Sequence, residues 1–211
     1  MGSGASKAAR ALLAACLISA VHPAVASCGW SYIDHEWNHD ASGVWNPNVY
    51  RSLVGALAAA DIGGALWEGS DTRLGKTLWQ GIDSVAISSA AEGVGKRIFT
   101  RARPGAGNDP CMWFKGGSNY SFPSGEAAVA AGLVAPMVFE YAHDNPVAYS
   151  LLLVPAYVGV ARIKNQAHWQ SDVIAGWAIG GLSGWYSHQR EVPLTVVVLP
   201  RGITIGFRRE F

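Results

Sequence analysis

A single all-α domain, a bundle of helices closed by a short C-terminal β-hairpin, is the fold class that this sequence predicts. Three observations carry it. Half of the 211 residues are hydrophobic and only 15% are charged, which is enough apolar material for one core and leaves little for a second. Between Tyr50 and His188 apolar residues recur at helical spacing, punctuated by Gly and Pro breaks. From Thr195 the pattern changes to strand, a Pro200-Arg201-Gly202 turn, and an alternating strand over Ile203 to Phe207.

The chain opens with Lys7 and Arg10, an apolar run from Ala11 to Val21, and Ala24-Val25-Ala26, the layout of a secretory signal peptide over residues 1–26. An exported, periplasmic chain starting near Ser27 is expected. Val25-Ala26-Ser27-Cys28 also forms a weak lipoprotein box, so a lipid anchor on Cys28 is the alternative. Cys16 leaves with the signal, and Cys28 and Cys111 remain as a candidate disulfide pair in an oxidising compartment. Sequence alone cannot supply the geometry of such a bridge.

Residues 27–48 read as an irregular arm, because Trp30 to Pro47 is polar and aromatic without a sustained period. Within it, His35-Glu36-Trp37-Asn38-His39 matches the short zinc-protease pattern. Asp34 and Asp40 flank it, Gly43 and Pro47 follow, and no apolar face backs a metal-bearing helix. An exposed arm is the better reading, and a metalloprotease a distant one.

The helical domain is expected over 49–190. One helix starts near Tyr50 and stops at Gly69-Ser70-Asp71, a second runs from Leu74 to about Ala91, and a third contains Glu92 to Arg103. Gly105 to Tyr120 reads as a long loop, of the kind that is often functional. Three further helices follow Pro123-Ser124-Gly125, the Asn145-Pro146 break, and the Gln166–His168 region. Ala127 to Phe139, Asn145 to Ala161 and Val173 to Ser187 lack Asp, Glu, Lys and Arg. Each falls short of the ~20 apolar residues of a membrane span, so they read as buried helices of a water-soluble bundle, with membrane-surface contact left open. The C-terminal hairpin takes 191–211. A net charge of +1 offers no field for nucleic acid, and anion recognition must come from locally placed cations.

Three motifs supply such cations. Lys96 and Arg103-Pro104 lie seven residues apart, nearly one helix face; alone, basic residues at a helix end are usually just solvated. In Phe122-Pro123-Ser124-Gly125-Glu126, a proline and a hydroxyl open a helix whose free N–H groups can bind a phosphate oxygen, although Ser124 as a plain N-cap is the commoner role. In the third, Arg162, His168 and Asp172 follow at spacings of six and four, placing the Asp172 carboxylate where it can hold one imidazole nitrogen and leave the other as a nucleophile.

In this order and spacing the motifs resemble those of the type 2 phosphatidic acid phosphatase, bacterial acid phosphatase and vanadium haloperoxidase superfamily, over roughly Tyr50 to His188. The resemblance implies an all-helical core. In it Lys96, Arg103, Arg162, Ser124 and the Gly125 backbone bind the phosphoryl oxygens, His168 forms a phosphohistidine, and Asp172 orients it. It implies no metal and no cofactor for the phosphatases, and a phosphorylated lipid or small phosphoester as substrate.

Two residues depart from the family pattern. Ala161 replaces a serine before the third motif's arginine, and Glu126 replaces the histidine that assists the leaving group. A carboxyl group among cations is a poor proton donor at neutral pH. Acid-pH operation, a phosphate leaving group such as that of a polyprenyl diphosphate, or activation of water by Glu126 would each accommodate it. A vanadium-dependent haloperoxidase, and a catalytically impaired protein that only binds phosphorylated lipid, are the alternatives.

Overall fold

The computed structural model describes residues 32–107 and 109–190, and the backbone of 194–199 and 202–207. The expected signal peptide and Cys28 lie outside them. Cys111 is disulfide-bonded.

Five α-helices form the domain: α1 Pro47–Glu68, α2 Arg73–Phe99, α3 Gly125–Tyr141, α4 Leu153–Lys164 and α5 Gln170–His188, with a 3-10 segment, Pro146–Leu152, running into α4. Starts follow local chemistry. The Asn46 side chain accepts from Asn48 N at the head of α1, with Pro47 as its first residue, and Thr72 accepts from Gly75 N at the head of α2. One boundary differs from expectation. A single 27-residue α2 replaces the two helices expected over 74–103, and Arg103 falls outside it. The helix ends at Thr100, which turns left-handed at φ 34° and ψ 50°. Gly95 sits inside α2 because a Cβ there would lie 2.7 Å from Pro123 Cδ.

The tightest packing joins α3 and α5, and its cause is a ladder of small residues. Gly176, Gly180 and Gly184 recur every four residues on one face of α5, and a Cβ on Gly180 would approach the Ala128 carbonyl to 2.3 Å. Backbones at that separation admit no side chain between them. The contact lays the N-terminus of α3 beside that of α5, and Ser124 N donates to Asp172 O at 2.9 Å.

Two segments of the described residues bear on the membrane-surface contact left open by the sequence. Pro47–Glu68 and Pro146–Lys164 are long and apolar enough to cross a membrane by length and composition, and only 11% and 33% of their apolar windows are buried. Leu66, Trp67, Val147 and Leu153 are all exposed. Joining the 3-10 segment to α4 supplies the length that the charge-free stretch ending at Ala161 lacked.

Beyond α5, Leu194–Leu199 pairs antiparallel with Gly202–Phe207, Leu194 standing opposite Phe207. This pair adds no layer to the helical fold, and a hairpin packed on the bundle stays an expectation.

Where α1 faces α2, burial pushes the Asp61 carboxyl up to about 7 from 3.8. Its Oδ2 has no hydrogen-bond partner. Because the folded value is the higher one, Asp61 favours the folded state below pH ~4, and that contribution is lost as pH rises through about 7. Asp61→Asn is therefore expected to be more stable than the parent at pH 8, by on the order of 2 kcal/mol, and to show no gain at pH 4. Urea denaturation at the two pH values checks this; an equal effect at both would mean that the charge is not the cause.

Candidate active site

The first motif is divided by the end of α2. Lys96 stays on the helix and pairs with Glu92 at 2.7 Å. Past Thr100 the chain leaves the helix, and Arg101 and Arg103 come to lie in different surroundings. Arg101 turns inward with no exposed surface; Arg103 turns outward and caps a 3-10 turn at Pro104–Ala106. The seven-residue helix-face explanation for Lys96 and Arg103 thus does not hold. Burial and the neighbouring Arg162 charge pull the Arg103 guanidinium below its ordinary value, the signature of two cations facing one space.

Backbone bonds from Ser121 N to Arg101 O and from Ala102 N to Met112 O tie the long loop to this stretch. Phe122 meets Phe99 edge to face and Trp113 at a tilt, with ring centres 5.0 and 5.1 Å away. The second motif then opens α3. Ser124 is fully buried, makes no side-chain cap, and its Oγ has no hydrogen-bond partner among the described residues. It does not take the commoner N-cap role. Gly125 lets the Glu92 carboxylate lie against the head of α3, since a Cβ would meet it at 2.8 Å.

In the third motif Arg162 sits in the last turn of α4, 6% exposed, with Nε lacking a hydrogen-bond partner. Its Nη1 donates to Tyr50 Oη at 2.7 Å and lies 2.6 Å from Glu126 Oε2. His168 precedes α5 rather than lying on it, and is buried. Its Nδ1 is 2.6 Å from the Ser121 carbonyl, which makes Nδ1 the protonated nitrogen and leaves Nε2 with its lone pair. Asp172 Oδ2 stands 3.8 Å from Nδ1, beyond hydrogen-bond distance.

The four-residue spacing has a different use. Asp172 is the third residue of α5 and accepts from Trp169 N at 2.8 Å, as a helix-capping carboxylate does. It also accepts from Ser121 Oγ at 2.5 Å and Arg101 Nη1 at 2.6 Å. Burial opposes its charge, but His168, Arg101 and Ser121 outweigh it and hold the carboxyl below its usual range. Burial, aided by the charges of Arg162 and Arg103 and opposed by Asp172, lowers the His168 value. The imidazole is therefore neutral at neutral pH.

Further residues of the site were not legible in the motifs. Asp34, on the arm, accepts from Arg101 Nη2 at 2.6 Å and from Ser171 N at 2.8 Å. Tyr50 and Arg51 come from α1, and Arg51 Nε donates to Glu126 Oε1 at 2.8 Å. Nothing in the sequence singled out these residues. Residues 34–40 contain no helical turn, so the His35–His39 spacing does not stack those rings as a zinc-binding helix would. A cavity of about 390 Å³ opens between α1, α2 and the head of α3, lined by Tyr50, Arg51, Lys96, Gly125 and Glu126 among others. A larger one of about 490 Å³, between α3, α4 and α5, is lined by apolar groups such as Phe139, Pro155 and Trp177 and offers nothing to an anion.

The helical bundle thus brings the Arg103 and Arg162 charges to bear on His168, and sets the Ser124 head of one helix against the Asp172 head of another. The chain belongs to the PAP2 superfamily, whose family model matches residues 78–193. Lipid A 1-phosphatase of Porphyromonas gingivalis is 31% identical over 134 residues, 63% of this chain. The chain spans 28% of that relative's length. The crystal structure of Aquifex aeolicus LpxE aligns with a TM-score of 0.46 at 19% identity, covering 69% of this chain and 88% of that one.

Proposed function

We propose that this protein is a metal-independent phosphatase of the cell envelope that hydrolyses a phosphorylated lipid, a phosphomonoester or a diphosphate, through a phosphohistidine on His168. The observation that carries it is His168, whose Nδ1 bonds the Ser121 carbonyl and on which the Arg162 and Arg103 charges act, together with two buried groups that lack partners among the described residues, Arg162 Nε and Ser124 Oγ. A phosphoryl group bound by Arg162, Arg103, Ser124 Oγ and the Gly125 N–H would satisfy both orphans and face the lone pair of His168. Lys96 lines the adjoining cavity as a further cation. Asp172 acts by holding Ser121 and the head of α5, which together set the imidazole.

The lipid part of the proposal draws on the name of the 31% identical relative and on the uncovered apolar surface of α1 beside the site, which suits contact with a membrane surface. Under the same reading, residues 1–26 are an export signal, 27–48 an arm, 49–190 the phosphatase domain and 191–211 an appended hairpin. Cys28 is either the lipid anchor or the partner of Cys111. Turnover of phosphatidic acid, polyprenyl diphosphate, lipid A and a soluble phosphomonoester, with trapping of an acid-labile phosphoprotein, tests the proposal. Phosphate binding without turnover on any of these would leave a binding protein instead.

The lowered His168 value has a kinetic consequence. The acid limb of kcat/KM on the soluble ester, which reports free-enzyme groups, is expected below the ordinary histidine value of about 6.5. A limb above pH ~7 assigned to His168 would contradict the proposed burial effect.

A further inference from the structure

We propose that Arg51 is a positioning residue for the hydrolytic half of the reaction: it anchors one carboxylate oxygen of Glu126 so that the other becomes the base for the attacking water. The proposal rests on the phosphohistidine reading above. The two oxygens of Glu126 are held unequally. Oε1 accepts an aligned hydrogen bond from Arg51 Nε at 2.8 Å, whereas Oε2 touches Arg162 Nη1 at 2.6 Å without an aligned hydrogen bond. Arg162 is the group that a phosphoryl ligand would recruit, so its arrival releases Oε2 and leaves Oε1 in place.

Arg51 is not an ordinary surface cation in this setting, although its side chain is about half exposed. The residue before it, Tyr50, is buried and receives the Arg162 hydrogen bond. Consecutive residues of one helical turn therefore hold Arg162 and Glu126, and burial of Tyr50 fixes the register of that turn. Arg51, Glu126, Lys96 and Gly125 line the same cavity of about 390 Å³, which has room for water next to Glu126.

In the step assigned, the water oxygen bonds to phosphorus as the bond from phosphorus to His168 Nε2 breaks. The electron pair returns to the imidazole, the water proton passes to Glu126 Oε2, and inorganic phosphate leaves. Glu126, one-third exposed, returns the proton to solvent. No additional reactant is needed.

The test uses the full chain, p-nitrophenyl phosphate and alkaline rapid quench, with Arg51→Gln and Arg51→Lys. Slower dephosphorylation makes kcat and KM fall together, about tenfold, while kcat/KM is kept and phosphohistidine accumulates. Arg51→Lys, which still donates to Oε1, is expected to recover much of the loss. A merely structural role would lower kcat/KM without accumulation, and that outcome overturns the proposal, as does an Arg51→Gln variant that matches the parent. A parent that turns over substrate with no phosphohistidine sinks the phosphohistidine reading itself, a failure visible before any variant is made.

Discussion

His168→Ala loses turnover by roughly 10⁴-fold or more, toward the uncatalysed background, and forms no acid-labile phosphoprotein. The size follows from the chemistry proposed for Nε2: without it no covalent intermediate can form, and the remaining cations can only bind and polarise the ester. The variant is expected to fold, since among the described residues the ring's hydrogen bond is to the Ser121 carbonyl, and to keep affinity for inorganic phosphate through Arg103 and Arg162. Near-parent activity in a folded His168→Ala protein would end the mechanism. Loss of activity together with loss of phosphate binding would instead make His168 a structural support of the cage.

The second large effect is on stability. Arg101, Asp34 and Asp172 have no exposed side-chain surface, and the guanidinium bonds both carboxylates at 2.6 Å while stacking 4.3 Å from the centre of Trp113. Removing the shared cation leaves two carboxylates buried without a counter-charge. Arg101→Met should cost about 3–5 kcal/mol, read as a lower urea midpoint at unchanged slope. Asp34→Asn should cost distinctly less, because Arg101 keeps Asp172 and the amide can still accept from Ser171 N. Equal losses in the two variants would mean that the arm's attachment, not the charge balance, is what matters. Because Asp172 holds Ser121, and Ser121 holds His168, activity in Arg101→Met should fall further than unfolding alone accounts for.

The fold class and one helix of the domain after another were legible because their signals are local. Gly69-Ser70-Asp71, Pro123-Ser124-Gly125 and Asn145-Pro146 mark boundaries through their own backbone chemistry. The split expected within 74–103 was misplaced because glycines such as Gly95 serve packing against Pro123 rather than a break. The length of the segment ending at Lys164 was missed because a 3-10 stretch joins it without a gap.

For the site, the order and spacing of the motifs nominated Lys96, Arg103, Ser124, Gly125, Glu126, Arg162, His168 and Asp172, although the first motif straddles the end of α2 and the third runs from the last turn of α4 to the first turn of α5. How they act on one another was not contained there. The partners of Asp172, Arg162 and Glu126 include Arg101, Tyr50 and Arg51, separated from them by 71, 112 and 75 residues, and no local periodicity encodes contacts of that range. They exist because the α5 glycine ladder lets α3 and α5 meet at backbone distance, bringing two helix heads together, and because burial of Tyr50 sets α1 against them. Local sequence nominated the candidate groups; close packing of distant helices determined which oxygen faces which cation, and which nitrogen of His168 bonds the Ser121 carbonyl.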